Sequence, residues 1–376
     1  MTTTADAGRA ADARFMEIAL ALARRGLGNV WPNPSVGCVI VKDDVVVGRG
    51  WTRSGGRPHA ETEALAMAGS AASGATAYVT LEPCSHQGQT GPCADAIIAA
   101  GVARVVTAIT DPDWRVSGEG LARMAEAGIV IETGLLAAPA QEINQGYFVR
   151  NKAGRPMVTL KLALSLDGKI GAHTGDSQWI TAEDARAASH GLRATHDGVG
   201  VGVGTAIEDD PHLTCRLPGL PVRHPVRVVF DSRLRLPLTR QLVVTAATVP
   251  TWIVTLEETV EESAVERARA FADLGVTLFP VVGGETGRIS IAAALRALGQ
   301  AGLTRLLIEG GGKLASAFLL EDQVDALALY RGPSIIGGDG ISGIAGLGLE
   351  RVADAMRFRL VDSRAIGPDR IESYAR

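Results

Sequence analysis

Aromatic residues are scarce in this chain of 376 residues. Seven Phe, five Trp and four Tyr make up only 4% of it, too few for a platform on which successive bases could stack. Cysteine is scarcer still. Four Cys cannot build a disulfide framework at this length, so they are expected to be reduced core residues or ligands in a cytoplasmic chain. No charge of one sign dominates: Lys and Arg number 37 against 41 Asp and Glu, and a net −4 argues against binding nucleic acid mainly by charge. Long apolar runs are missing too. The charge-free stretch 64–81 is broken by Gly, Ser and Thr, whereas a membrane-spanning helix needs roughly 20 mostly apolar residues. The opening MTTTADAGRAAD carries acidic groups and no apolar core, which predicts a disordered tail and not a signal peptide.

What the chain does have is 46% hydrophobic content, enough for packed cores, and a length that fits two domains or three. FMEIALALARRGLG has apolar residues at helical spacing and is stopped by Gly26 and Gly28. VGCVIVKDDVVVGRGW reads as a β-hairpin turning at Asp43-Asp44. ETEALAMAG, CADAIIAAG and GLARMAEAG then alternate as helices with the strands ATAYVTL, ARVVTAI and IVIETG, which implies a mostly parallel sheet covered on both faces. FVRNKAGRP, residues 148–156, is polar, contains Gly154 and Pro156, and is predicted to be a linker. A second series follows: PMVTLKLAL a strand, AEDARAASHGLRA a helix, DGVGVGVG, PVRVVFD and TWIVTL strands, residues 258–273 a helix, and further alternation through LTRLLIEGGG. Two α/β domains, residues 13–149 and 156–376, are therefore expected.

The most informative pattern in the first half is PHAE followed by LEPCSHQGQTGPC. His59 and Glu61 open one predicted helix, Cys84 follows a strand, and Cys93 opens the next helix, where a thiol ionises more easily. Two thiolates and an imidazole make three zinc ligands and leave a fourth position for water, the catalytic and not the structural arrangement. Zinc held in this way brings the pKa of its water to about 7. Glu61 is expected beside the metal, moving protons without ligating. The pattern matches the zinc-deaminase signature His-x-Glu … Pro-Cys-x-x-Cys, except that eight residues separate the two Cys here. Two buried Cys with a capping Glu, or a structural zinc completed by His86, are the alternatives. His86 is preferred as a substrate contact, because the loop between the Cys must face the open metal position. Cys38 and Cys215 are expected to pack; His173, His190, His196, His212 and His224 lack ligand spacing and are expected at the surface or satisfied.

In the second half, DGVGVGVGT puts Gly198, Gly200, Gly202 and Gly204 on one face of a predicted strand. Such a bare face admits something large against the backbone, a ligand or simply a closely packed helix. With no strand–turn–helix frame around them, these glycines match a dinucleotide fingerprint only loosely. LLIEGGGKLASAFL runs strand, Gly-Gly-Gly, helix, and backbone N–H groups at such a helix start can hold a phosphate. Lys313 is followed by Leu314, which excludes a Walker loop; a tight turn alone is the alternative.

PNPSVGCVIV, PHAE, TLEPCSHQGQTGPC and DPDWRVSGEG together resemble the deaminase half of the bifunctional riboflavin-biosynthesis deaminase/reductase family. GRPMVTLKLALSLDGKI, GDSQWIT, LRATHDGVGVGVGTAIEDDPHLTCR and LIEGGGKLASAFL follow in the order of that family's reductase half. The resemblance implies an α/β chain with an N-terminal cytidine-deaminase-like domain and a C-terminal dihydrofolate-reductase-like domain. It implies zinc-dependent deamination of a diaminopyrimidine ribosylamine phosphate, then NADPH reduction of the ribosyl group to ribityl. By motif position, zinc sits on His59, Cys84 and Cys93, Glu61 is the proton shuttle, and Asn33 and His86 face the pyrimidine. Ala163, Trp179, Thr205, Asp209, Gly311, Gly312, Lys313 and Leu314 lie along NADPH. Ser177, Arg193, Leu213, Arg216 and Glu309 lie along the substrate, with Arg193 and Arg216 as clamps for its phosphate. Lys161 and Asp209 are the candidates for proton delivery, an ordinary ion pair or turn cap being the alternative. The implied partners are the small pyrimidine ribotide and further copies of the chain in a homo-oligomer, with no nucleic acid and no membrane. Gln89 stands where the family carries Lys or Arg, Trp114 where Pro is usual, and Glu119 where Lys or Arg is common. These departures leave open a deaminase half that acts on another base or nucleoside.

Overall fold

The computed structural model describes residues 4–87, 91–111, 117–217, 219, 224–284 and 287–376, with side chains from residue 8. The chain divides into two compact units, Met1–Ala153 and Gly154–Arg376. The first contains α1 (Thr4–Arg24), β1 (Gly37–Lys42), β2 (Val45–Trp51), α2 (Ala60–Ala68), β3 (Thr76–Val79), α3 (Cys93–Ala99), β4 (Arg104–Thr107), α4 (Glu119–Glu126), β5 (Val130–Thr133) and α5 (Ala137–Ala153). Its sheet runs β2-β1-β3-β4-β5. Asp43 and Asp44 both take positive φ, 50° and 59°, which suits the two-residue turn of a twisted hairpin. β1 is antiparallel to β2 and β3, so the parallel expectation holds only from β3 to β5.

Two helices lie directly on glycines of this sheet. A Cβ on Gly37 would stand 1.9 Å from the Ala19 carbonyl oxygen of α1, and one on Gly48 would stand 2.2 Å from the Ala64 carbonyl oxygen of α2. Because strand side chains alternate in direction, these contacts set α1 and α2 on opposite faces. Two expectations are corrected. The opening segment is not a tail as far as Asp12: helix α1 starts at Thr4, and the Asp12 carboxylate accepts from Arg104 Nη1 and Nη2 at 2.9 and 2.7 Å and from the Tyr78 hydroxyl. Residues 148–153 are not linker but the end of α5, whose Asn144 amide bonds the Ser35 N–H and carbonyl at 2.8 and 3.1 Å.

The second unit contains β6 (Met157–Leu164), β7 (Lys169–Gly171), α6 (Glu183–Thr195), β8 (Gly198–Gly202), α7 (Val203–Glu208), β9 (Val226–Phe230), α8 (Gln241–Val244), β10 (Thr251–Leu256), α9 (Val265–Asp273), β11 (Thr277–Val281), α10 (Ile291–Gln300), β12 (Arg305–Glu309), α11 (Gly312–Leu320), β13 (Ala326–Arg331), β14 (Ile341–Ser342), β15 (Arg359–Ile366) and β16 (Asp369–Ala375). Nine strands form one sheet in the order β11-β10-β9-β8-β12-β6-β13-β16-β15, parallel from β11 to β13 and antiparallel beyond. One face is packed by α7, α8 and α9 through Ala206, Leu242 and Phe271; on the other, Phe318 of α11 meets Phe230 edge-on. The helix expected over 258–273 is interrupted at Ala264. The glycine run also divides: β8 ends at Gly202 and passes straight into α7, so Gly204 is helical. Its bare face admits the protein's own core. A Cβ on Gly200 would lie 2.8 Å from Ile308 Cδ1 and 3.2 Å from Phe230 Cε2, and one on Gly198 would lie 3.1 Å from Leu303 Cδ1.

Candidate active sites in the two units

In the first unit two helix starts deliver the sulfur and nitrogen donors. His59 is the N-cap of α2 and Cys93 the first residue of α3, while Cys84 lies in the loop after β3. His59 Nδ1 stands 3.3 Å from Cys93 Sγ and 3.6 Å from Cys84 Sγ, and all three donor atoms lie within 4.8 Å of one another. A tetrahedral zinc with its usual bond lengths separates N and S donors by about 3.6 Å, so the set fits that ion. The Cys93 N–H, at the buried positive end of α3, points at Cys84 Sγ at 3.4 Å. The Cys93 side chain, opposed by burial and joined by His59, holds the Cys84 thiol well below the usual range, the thiolate a metal requires. His86 lies outside this donor group, and its Nδ1 is buried with no hydrogen-bond partner among the described residues. Three donors and no fourth among those residues is the open arrangement of a catalytic metal.

Glu61 sits in the first turn of α2, only 3% exposed. Burial first, then the Cys84 thiolate, push its carboxyl up to about 7, which suits a group that both takes and gives protons near neutrality. Asn33 is half-buried beside Gly56, where a Cβ would stand 1.8 Å from its Nδ2. Glu119 is the first residue of α4; Gln89 and Trp114 lie outside the described residues. Cys38 is buried in the core. Glu82 was not singled out by sequence. Its buried carboxylate accepts the N–H groups of Asp111, Gly118 and Gly120 at 3.2, 3.0 and 3.2 Å, tying the start of α4 to the segment that carries Cys84. Its place two residues before Cys84 was the one available signal.

In the second unit the expected residues gather at the carboxyl ends of adjacent parallel strands, where ligands of open α/β sheets bind. Lys161 of β6 pairs in register with Glu309 of β12. Arg193 of α6 grips Glu309 through Nε and Nη2 at 2.7 and 2.8 Å and donates Nη1 to the Thr214 carbonyl at 3.0 Å. Burial alone would raise Glu309; the Arg193 guanidinium overrides it and holds the carboxyl at about 2. Burial lowers Lys161, opposed by Glu309 and aided by Arg193, and its ammonium lies 5.2 Å from the centre of the Tyr330 ring. Tyr330 was not singled out either. Ala163 pairs with it across β6 and β13.

Thr205, near the start of α7, adjoins the glycine turn: a Cβ on Gly311 would lie 3.2 Å from its Oγ1. Gly310 and Gly311 take φ of 90° and 77°, and α11 begins at Gly312 with no side-chain cap; the Leu314 N–H donates to the Gly311 carbonyl at 3.0 Å, which leaves the N–H groups of Gly312 and Lys313 for an anion. Leu314 faces Gly202, and Lys313 is exposed. This cradle fits a dinucleotide's phosphates. Asp209 ends α7, exposed, and among the described residues no ion pair joins it to Lys161. Partial desolvation at its base, then the neighbouring Glu208 charge, raise its carboxyl. Ser177 and Trp179 are exposed ahead of α6, the Trp179 ring 4.3 Å from the Arg186 guanidinium. The Leu213 side chain belongs to the core, whereas Arg216 is exposed. Of the remaining histidines, His173 and His212 are exposed and His196 is buried and bonded, but His224 keeps a buried Nδ1 without a partner among the described residues.

Fold and site together define a two-unit enzyme in which a metal-dependent deaminase precedes a nucleotide-dependent reductase. Residues 9–109 match the cytidine and deoxycytidylate deaminase zinc-binding region, and residues 156–371 match the RibD C-terminal domain. The chain belongs to the family of the riboflavin biosynthesis protein RibD. It is 42% identical to that protein from Bacillus amyloliquefaciens, over 94% of both chains, and 40% identical to that from Escherichia coli, over 95% of this chain and 97% of the relative. Among solved structures, Acinetobacter baumannii RibD superposes with a TM-score of 0.87 at 37% identity, covering 98% of this chain and 99% of that one. A diaminohydroxyphosphoribosylaminopyrimidine deaminase/5-amino-6-(5-phosphoribosylamino)uracil reductase from Thermotoga maritima superposes with a TM-score of 0.85 at 33% identity and the same coverage.

Proposed function

We propose that the chain carries out two successive steps of riboflavin biosynthesis. Residues 13–149 deaminate 2,5-diamino-6-ribosylamino-4(3H)-pyrimidinone 5′-phosphate, and residues 156–376 reduce the ribosyl group of the product to ribityl. The observation that carries this reading is the convergence of His59 Nδ1, Cys84 Sγ and Cys93 Sγ within 4.8 Å, with the buried Glu61 on the same helix start as His59. Zinc, when bound by these three donors, supplies a Lewis acid that makes water nucleophilic at neutral pH. Glu61 takes a proton from the attacking water and returns it to the departing amine, so that water enters and ammonia leaves. Asn33 and His86 orient the pyrimidine, the orphaned His86 Nδ1 offering a buried polar contact.

NADPH, when bound, supplies the hydride of the second step. Thr205, Gly311, Gly312, Lys313 and Leu314 hold its phosphates at the α11 start, Ala163 and Trp179 line its path, and Ser177, Leu213 and Glu309 border the substrate. Arg216, exposed and without a carboxylate partner among the described residues, clamps the ribotide phosphate, while Arg193, bonded to Glu309 and the Thr214 carbonyl, borders the substrate. Lys161, in register with Glu309 and with its Nζ 5.2 Å from the centre of the Tyr330 ring, gives the proton that balances the hydride, with Asp209 closing the cofactor side. The chain works as a homo-oligomer in the cytoplasm. Supporting the oligomer, β15 is a sheet edge among the described residues and exposes Leu360 and Val361. No described helix is long and apolar enough to cross a membrane.

The test supplies the diaminopyrimidine ribotide with and without NADPH and follows ammonia and NADPH oxidation separately. Glu61→Gln is expected to lower ammonia release by about 100- to 10,000-fold while still reducing pre-deaminated substrate. Normal ammonia release by that variant would remove Glu61 from the mechanism.

A further inference from the structure

Three consecutive residues after α7 are held by one helix. The Thr214 carbonyl accepts from Arg193 Nη1 at 3.0 Å, the Cys215 thiol donates to the His190 carbonyl at 3.4 Å, and the Arg216 main-chain N–H donates to His190 Nδ1 at 3.3 Å. His190 and Arg193 are three residues apart on α6 and share a face. Arg193 is itself fixed by two bonds to Glu309 at the end of β12. The segment is thus bracketed from both the sheet and the helix. Only the Arg216 side chain, exposed, is left free of a carboxylate partner among the described residues. An arginine on irregular backbone loses main-chain and rotamer freedom when it grips an anion, and a backbone already fixed lowers that loss.

We propose that His190 is a positioning residue of the reductase site: its Nδ1 anchors the main chain of Arg216 and so aims the Arg216 guanidinium at the phosphate of the ribotide. The inference rests on the reading of Arg216 as a phosphate clamp. The anchor requires an unprotonated Nδ1, with the ring hydrogen on Nε2. Burial, Arg193 on the same helix and Arg216 on the segment itself lower the imidazole from its ordinary value, against Glu309 of β12 and the Thr214 main chain. The accepting form therefore persists at neutral pH. Asparagine preserves the acceptor, its Oδ1 standing where Nδ1 stood, whereas alanine removes it.

The test uses the full chain and follows NADPH oxidation on the deaminated ribotide and on the same compound with its phosphate removed. His190→Ala is expected to raise KM for the phosphorylated substrate by about 5- to 10-fold, the loss of one hydrogen bond, with kcat changed by less than about 2-fold. KM for the dephosphorylated compound stays as in the wild type, and His190→Asn restores the phosphorylated KM to within about 2-fold. An unchanged phosphorylated KM in His190→Ala, an equal rise on both compounds, or an Asn variant as poor as the Ala variant each overturns the proposal. Arg216→Ala runs alongside. If it too leaves the phosphorylated KM unaltered, the clamp itself is wrong; if it raises that KM while His190→Ala does not, only the role of His190 falls.

Discussion

His196 is buried with its Nδ1–H donating to the Leu192 carbonyl at 2.7 Å and its Nε2 accepting from Thr159 Oγ1 at 2.9 Å. Burial, aided by Arg305, pushes it down to about 3. The unfolded chain binds a proton at this site below about pH 6.5 and the folded chain does not, so stability falls as pH drops from that value toward about 3. At about pH 5.5 the loss is about 1 kcal/mol. Denaturant unfolding at neutral and acid pH is expected to show a smaller acid penalty in His196→Gln than in the wild type; identical pH dependence in the two would show that His196 is not the group responsible. The residues legible from sequence share one trait: their chemistry is written in spacing. His59 and Glu61 are two apart at a helix start, and Cys84 and Cys93 frame one loop. Glu82, His190 and Tyr330 act through partners that no local spacing brings together. Glu82 meets Gly118 36 positions away, and His190 meets Arg216 26 positions away.

At the scale of elements, α2 matters most, because it carries Glu61 and begins at His59. Its seat on Gly48 leaves no room for a methyl group, since a Cβ there would meet the Ala64 carbonyl oxygen at 2.2 Å. Gly48→Ala is expected to cost about 3 kcal/mol and to depress ammonia release, while reduction of pre-deaminated substrate persists. Gly8→Ala in α1 has open space around it and is expected to be neutral or to stabilise by up to about 1 kcal/mol. Thermal melts of the two variants check this, and equal melting points would contradict the close seating of α2. Elements with a strong period were legible: the hairpin about Asp43-Asp44, the buried β3 and the helix α6. The start of α1 and the end of α5 were not. Their sequences are polar, and they are held by tertiary bonds, Asp12 to Arg104 and Asn144 to Ser35, that outweigh local preference.

Across the whole molecule, the nine-stranded sheet ends in β15, where Leu360 and Val361, at a break in the pairing register with β16, are 51% and 52% exposed. Such an edge offers unpaired backbone and apolar side chains to a second copy. Light scattering is expected to give a multiple of the monomer mass for the wild type and a shift toward monomer for the double variant Leu360→Lys, Val361→Lys; an unshifted mass would place the interface elsewhere. The sequence by itself determined the α/β class and the alternation of elements and singled out His59, Cys84 and Cys93 as candidate zinc donors, because hydrophobic period and motif spacing are local properties of the chain. Only the tertiary structure decided that the glycine face of β8 packs against Ile308 and Phe230 at Gly200, that Arg193 is committed to Glu309, and that α6 holds the main chain of Arg216. Those outcomes depend on which distant strands and helices become neighbours, and that is fixed by packing and by the pairing of buried polar groups.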